Sequence, residues 1–236
     1  MKHLQDYIPS PNTLVCASRE QLIGGVFGVT IKDRYEGILK AACEVFARRG
    51  YHQASTREIA RAAGLSLAGL YHYVGGKDEL LFLVLDRSLA ALITALDAAC
   101  HRAPTSEARL LALVQTHLDF GFQNAHALKI INRDYELLGE PRRSEIAAKR
   151  QAYLQRALVI LRELDRHGRP GDELLSATNL LLGMLNGIAI RPFLRSHDDV
   201  RALATEVASV FLYGFLEPSA HRGRVPAMIA GGQHDA

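Results

Sequence analysis

Three side chains that could bind phosphate stand at the predicted starts of helices. Ser55, Ser66 and Lys77 each precede or open an amphipathic stretch. The start of a helix presents unpaired backbone N–H groups and the positive end of the helix dipole, and both attract phosphate oxygens. We therefore expect residues 55–77 to form a surface that contacts a phosphate backbone.

The stretch GLSLAGLYHYVGGK, residues 64–77, has the pattern of the turn and second helix of a helix-turn-helix. Such helices usually read bases with Arg, Lys, Asn or Gln, and residues 65–76 contain none of these. Leu67 and Ala68 are suited instead to packing on thymine methyl groups. Gly69 would allow a close approach to the groove floor, although glycine weakens a short helix by about 1 kcal/mol. We expect affinity from phosphate contacts, and sequence preference from apolar contacts and DNA shape.

Neighbouring polar side chains extend this surface. Tyr71 combines a rigid ring with a hydroxyl that could hold a phosphate, and His72 could contact a base edge or a phosphate. Arg57 is expected on the exposed side of the second helix, within reach of a phosphate or base. The alternatives are a core position for Tyr71 and ordinary solvated positions for His72 and Lys77. The predicted DNA-binding residues are Ser55, Thr56, Arg57, Ser66, Leu67, Ala68, Gly69, Tyr71, His72 and Lys77.

Helical periodicity predicts an all-α fold, with an N-terminal three-helix helix-turn-helix head and a C-terminal helical domain. Capping boxes are expected at Ser55–Glu58 and Ser196–Asp199, where an acid stands three residues after a serine. In the first part of the chain, helices are predicted over residues 31–49, 56–63, 66–74 and 77–100. In the second part they are predicted over residues 106–124, 126–138, 142–167, 172–190 and 200–216. The predicted organisation is a poorly ordered arm (1–30), the head (31–78), a ligand-binding and dimerisation domain (79–217) and a flexible tail (218–236).

Composition limits the possible functions. The chain has 236 residues, a net charge of +3 and three widely spaced cysteines. With so weak a basic excess, DNA binding would have to depend on a local surface that is complementary to DNA and not on the overall charge of the chain. No metal-ligand spacing, phosphate loop or nucleophile–base–orienter set is present, so neither a metal, a cofactor nor an enzymatic activity is expected. The chain shows no signal peptide, and its longest apolar run is interrupted by Asn179 and Asn186, so we expect a cytoplasmic protein with no membrane partner.

The run ILKAACEVFARRGYHQASTREIARAAGLSLAGLYHYVGGKDELL closely resembles the N-terminal DNA-binding domain of the TetR family of transcriptional regulators. The resemblance implies a homodimeric repressor that binds double-stranded, palindromic operator DNA and is released by a small-molecule effector. It also implies phosphate contacts from Ser55, Tyr71 and Lys77. This chain departs from the family at Leu67, where a Lys is common, and at Gly69, where a Thr or Ser is common.

Two later segments, RDYELLGEPRRSEIAAKRQAYLQR and LLLGMLNGIAIRPF, are similar to members of that family that respond to acyl-CoA or fatty acids. Many of those members have a Trp-Tyr pair where this chain has Pro192-Phe193. The alternatives are a regulator of efflux or aromatic catabolism with an aromatic ligand, and a helical DNA-binding or interaction protein without an effector.

The C-terminal half carries the predicted dimer interface and effector pocket. Helices 172–190 and 200–216 are more apolar than one core requires, which favours a four-helix interface between two copies over packing within a monomer. Polar residues among apolar ones mark the pocket, and Arg133 would suit a carboxylate or a phosphate. The alternative is a solvated charge for Arg133 and core hydrogen bonding for the asparagines. The predicted ligand-binding residues are His117, Phe120, Arg133, Asn179, Met184 and Asn186.

Overall fold

The computed structural model describes residues 31–189 and 196–216, and within these ranges the fold is all-α, as predicted. The predicted arm (1–30) and tail (218–236), and the Pro192-Phe193 pair, lie outside the described residues. The helices are α1 Ile31–Arg49, α2 Thr56–Ala62, α3 Leu67–Tyr71, α4 Lys77–Arg102, α5 Ser106–Gln123, α6 Ala125–Arg133, α7 Arg142–Leu164, α8 Gly171–Ala189 and α9 His197–Ser209. A π-helical segment, Val210–Leu216, continues α9.

Three helices end at least three residues earlier than predicted, and one of them is α7, which ends at Leu164 rather than at residue 167. The third helix ends at Tyr71 rather than at Val74. The chain turns after Tyr71, and this turn buries Val74 in the core of the head. The helix predicted over residues 126–138 ends at Arg133. Asp134 then turns its carboxylate onto Arg133, and a 3-10 turn, Tyr135–Leu137, follows.

Serine caps set the geometry of the head. The Ser55 hydroxyl accepts a hydrogen bond from the Glu58 N–H at 3.1 Å, and the Ser66 hydroxyl accepts one from the Gly69 N–H at 3.0 Å. Gly64 supplies the turn between α2 and α3 with a φ of 68°, a left-handed conformation that glycine adopts without strain. These local signals fix the start of α3 relative to the end of α2.

The predicted capping box at Ser55 is only half formed. The Glu58 carboxylate lies 3.0 Å from the Arg48 guanidinium and 3.5 Å from that of Arg49, at the end of α1. Two cations attract the carboxylate more strongly than the Ser55 N–H does, so the acid ties α2 to α1. At Ser196 and Asp199 both halves of the predicted box are present.

The hydrophobic core has two parts, and α6 packs with the head. The first part joins Phe46, Ile59 and Leu70 from α1–α3 to Ile130 and Ile131 of α6. The second part is built from α4, α5, α7, α8 and α9. A displacement of α6 would therefore act directly on α1, which supports the DNA-facing helices.

The close approach of α5 to α8 depends on Gly121. A Cβ at this position would overlap the Ala189 Cβ and lie 3.1 Å from the Ala189 carbonyl oxygen. We expect Gly121→Ala to lower the free energy of unfolding by about 1–2 kcal/mol, because overpacking outweighs the gain in helix propensity. Urea denaturation measures this change. The matched control is Gly37→Ala on α1, where a Cβ meets nothing within 4 Å. The control should be neutral or stabilising, and equal losses in both variants would contradict the packing argument.

Candidate nucleic-acid interface and buried polar cluster

The α3 helix presents most of the predicted DNA-binding side chains on one surface. Leu70 is 0% exposed and fixes the helix to the core, whereas Tyr71 is 49% exposed. Ala68 and His72 are exposed, and Leu67 and Gly69 are partly exposed. The structure therefore places Tyr71 outside the core and leaves the small, apolar middle of α3 accessible.

Tyr71 and Thr56 meet across the helix-turn-helix. The Tyr71 hydroxyl lies 3.3 Å from Thr56 Oγ1, so the ring is held against the first residue of α2. Ser55, Arg57 and Arg61 are exposed on the same short helix or immediately before it. The structure thus brings α2 and α3 residues into one polar surface, to which Arg61 is an addition that sequence reasoning missed.

Lys77 has a different role from the one predicted for its side chain. Its ammonium lies 2.9, 3.4 and 3.2 Å from the carbonyl oxygens of Tyr51, His52 and Ala54. It also lies 4.4 Å from the centre of the Tyr51 ring. An ammonium has three hydrogens, and all three are directed at the loop between α1 and α2. The backbone N–H of Lys77, at the start of α4, is still a candidate phosphate contact.

We expect Lys77→Met to lower the free energy of unfolding by about 1–2 kcal/mol. The substitution keeps an unbranched side chain but removes charged hydrogen bonds to carbonyls that are partly buried. Lys40→Met, at an exposed position on α1, is the control and should be neutral. Urea denaturation of both variants compares them, and a stable Lys77→Met protein would show that the loop holds without the ammonium.

A buried polar cluster lies within the second core. His117 is 2% exposed, and its Nδ1 lies 3.0 Å from the Tyr153 hydroxyl. Its Nε2 has no hydrogen-bond partner among the described residues. Burial lowers the pKa of His117 to about 4, while a side-chain hydrogen-bonding interaction with the Asn186 amide acts in the opposite direction. Burial also raises the pKa of the Tyr153 hydroxyl.

The depressed pKa keeps His117 uncharged at neutral pH. In the unfolded chain a histidine titrates near pH 6.5, so the unfolded state binds the proton first. The free energy of unfolding is therefore expected to fall as the pH drops from about 6.5 towards 4. Above pH 6.5 the histidine is uncharged in both the folded and the unfolded state, so it contributes no pH dependence to the free energy of unfolding.

The other predicted ligand residues divide into two groups. Phe120 and Met184 are partly buried against the same core as His117, and the Asn186 side chain accepts a hydrogen bond from Asn132 at 2.9 Å. By contrast, Asn179 is exposed and donates to the Leu175 carbonyl of its own helix.

The Arg133 side chain is bound by other partners. Its guanidinium donates to the Phe46 carbonyl at 2.8 Å, at the end of α1. The buried polar cluster around His117 therefore includes neither the Arg133 nor the Asn179 side chain among its hydrogen-bonded groups. Tyr153 was missed, although a tyrosine on the apolar stripe of α7 needs a buried partner for its hydroxyl, which was a usable signal.

A separate cleft of about 530 Å³ opens on the outer surface of α4, α5 and α7. An ion pair between Asp97 and Arg156, at 2.7 Å, crosses its edge. None of the predicted ligand-binding residues lines it. Its lining residues are Leu96, Asp97, Cys100, Arg109, Ala152, Gln155, Arg156, Val159, Ile160 and Glu163. Across residues 31–189 and 196–216, no helix is long and apolar enough to cross a bilayer.

Comparison with known proteins gives two family matches and several relatives. The family "Bacterial regulatory proteins, tetR family" matches residues 38–84, and "Tetracyclin repressor-like, C-terminal domain" matches residues 103–190. The transcriptional activator FasR of Mycolicibacterium smegmatis is 36% identical over 104 residues, covering 44% of this chain and 48% of FasR. The fatty acid metabolism regulator protein of Bacillus subtilis is 26% identical over 102 residues, covering 43% of this chain and 52% of that protein. The matches thus span about half the length of these curated relatives.

A solved structure shows the same fold over most of the chain. AibR, in a complex with isovaleryl coenzyme A and operator DNA, aligns with a TM-score of 0.66 and 23% identity. The alignment covers 75% of this chain and 97% of AibR. Together the two family matches include the DNA-binding head and most of the C-terminal helices. The chain belongs to the TetR family of bacterial transcriptional regulators.

Proposed function

We propose that this protein is a cytoplasmic transcriptional regulator that binds operator DNA through its α2–α3 surface and responds to a small-molecule effector. The observation that carries the proposal is the accessible α3 surface, with Tyr71 held against Thr56 and Leu70 anchored in the core. Membership of a family of regulators also supports the prediction that the chain is not an enzyme.

The DNA contacts divide between affinity and sequence preference. Tyr71, Arg57 and Arg61 are exposed and suited to the phosphate backbone, which sets position rather than sequence. Ala68 and Leu67 face the groove and would contact thymine methyl groups. His72 adds one polar contact next to them. Because few base-specific hydrogen bonds are available, deformability of the operator contributes to its recognition.

A second copy of the chain completes the proposed DNA-binding unit. Leu175 and Leu180 on α8 are 38% and 65% exposed, and Val210 and Tyr213 beyond α9 are 62% and 72% exposed. Large apolar side chains exposed on neighbouring segments are characteristic of an interface. Pairing two copies through α8 and α9 would present two heads to a palindromic operator.

The effector is proposed to be an acyl-CoA or a fatty acid. The name of the Bacillus subtilis relative refers to fatty acid metabolism, and AibR holds isovaleryl coenzyme A in the same fold. The core around His117 is largely apolar, which is the environment that the alkyl chain of such an effector requires. We propose repression as the mode of regulation, with activation, the role in FasR's name, as the opposite outcome of a promoter assay.

A mobility-shift titration tests the function. The probe is the DNA upstream of the protein's own gene, with a scrambled duplex of equal composition as the comparison and excess competitor DNA in both. We expect a specific complex of two or more protomers, with affinity that falls steeply as salt increases. Equal binding to both duplexes would show that the protein binds DNA without sequence specificity, and the absence of binding would refute the proposal.

A further inference from the structure

We propose that His117 is the polar anchor of the effector site, and that its Nε2–H donates a hydrogen bond to an uncharged carbonyl oxygen of an otherwise apolar effector. The inference rests on the proposed function, because it assumes that an effector enters the C-terminal core. It goes further by specifying the polar chemistry of that effector: an ester, thioester or ketone, and not a free carboxylate.

The hydrogen bond between His117 Nδ1 and the Tyr153 hydroxyl determines whether the imidazole proton lies on Nδ1 or on Nε2. The Tyr153 hydroxyl can donate to Nδ1, or Nδ1–H can donate to the hydroxyl oxygen. In the second arrangement both the hydroxyl hydrogen and Nε2 would lack partners. In the first, only Nε2–H is unsatisfied. Burial makes each unsatisfied group costly, so the first arrangement is favoured and leaves one N–H donor in the core.

The surroundings of His117 exclude a charged partner. The neighbouring core residues on α5 are Val114, Leu118 and Gly121, and the polar groups that interact with the ring are neutral: the Tyr153 hydroxyl and the Asn186 amide. An effector carboxylate placed here would be buried without a cation, which is strongly unfavourable. A free acid would enter either in its protonated form, roughly one part in a thousand at pH 7.5, or with a proton taken up by His117, which burial disfavours. A neutral carbonyl satisfies Nε2–H without that penalty.

Two side chains beside the cluster can make room for an alkyl chain. Phe120 and Met184 are only partly buried against this core. Methionine is unbranched and adapts its rotamer to irregular spaces, so Met184 can move without breaking a hydrogen bond. Acyl chains attached to a carbonyl at Nε2 would therefore extend among apolar groups.

Matched ligands and variants test the anchor. The probes are butyryl, decanoyl and palmitoyl chains, each as the CoA thioester, the methyl ester and the free acid, below their micellar concentrations. Thermal shift and titration calorimetry at pH 7.5 measure binding. For at least one chain length, we expect the thioester or ester to raise the Tm of the wild type, and the free acid to bind at least tenfold more weakly.

The variants separate anchoring from folding. His117→Leu removes the unsatisfied donor, so its Tm without ligand should equal or exceed that of the wild type while its affinity for the ester or thioester falls at least tenfold. His117→Gln keeps an N–H donor and should recover part of the affinity. His101→Leu, at an exposed position on α4, is the control and should bind like the wild type.

Three results would overturn the inference. Free acids could bind as tightly as thioesters, His117→Leu could keep full affinity, or no ester or thioester could bind the wild type. Each of these leaves specific operator binding intact, so the inference can fail while the proposed regulator stands. Loss of specific operator binding would instead refute the proposed function.

Discussion

Ala68→Glu is expected to reduce the affinity of this protein for its operator at least 100-fold while leaving the fold intact. Ala68 is exposed near the start of α3, at the centre of the surface proposed to enter the groove. A carboxylate there would lose its hydration and face the phosphates, and like charges across an interface cost several kcal/mol. A 100-fold loss corresponds to about 2.7 kcal/mol. Fluorescence anisotropy with labelled operator measures the change.

The fold should tolerate this substitution for two reasons. Ala68 makes no core contact, and an acid in the first turn of a helix interacts favourably with the helix dipole. Ala98→Glu, at an exposed position on α4 outside the head, is the matched control because it changes net charge equally. Its affinity should stay near that of the wild type. Similar losses in both variants would indicate a general charge effect, and an unimpaired Ala68→Glu protein would move the DNA contact away from α3.

The local part of this architecture could be predicted from sequence because its causes are local. Ser66 caps the residue three positions later, and Gly64 provides the turn before it, so both ends of the turn are set by neighbouring residues. The alternation of Leu70 with Ala68 and Tyr71 similarly assigns the inner and outer faces of α3. Side-chain chemistry and helical period suffice for this surface.

The role of Lys77 could not be predicted in the same way. Its ammonium binds carbonyls more than 20 residues earlier in the chain, and only the folded loop brings them together. The two asparagines of α8 show a related limit. Asn179 and Asn186 are seven residues apart and share a helix face, yet Asn132 of α6 contacts only the second. Helical periodicity predicts which residues share a face of a helix, but it does not predict which neighbouring helix packs against each turn of that face.

Arg133 ties α6 to α1, and its loss is expected to lower the free energy of unfolding by about 2–3 kcal/mol. The Asp134 side chain is 3% exposed, and its two oxygens lie 2.5 and 2.7 Å from the Arg133 guanidinium. The same guanidinium donates to the Phe46 carbonyl at the end of α1. Removing one partner of a buried pair costs about 3–5 kcal/mol, and the 39% exposure of the Arg133 side chain reduces this figure.

Urea denaturation of Arg133→Met and of the double variant Arg133→Met/Asp134→Asn tests this contribution. Methionine preserves the apolar stem, so the single variant removes the charge and the hydrogen bonds of the guanidinium. The neutral amide should recover most of the lost stability because the buried carboxylate is gone. Arg143→Met, which breaks a half-exposed pair with Glu140, is the control and should cause no measurable change. A stable single variant, or a double variant no better than the single, would show that Asp134 does not need its cation. If the expected pattern holds, the buried Asp134 carboxylate keeps the Arg133 guanidinium in place at the end of α1, where it donates to the Phe46 carbonyl. An effector that shifts α6 must then break this hydrogen bond or move α1 with it, and the second outcome changes the position of the DNA-binding head.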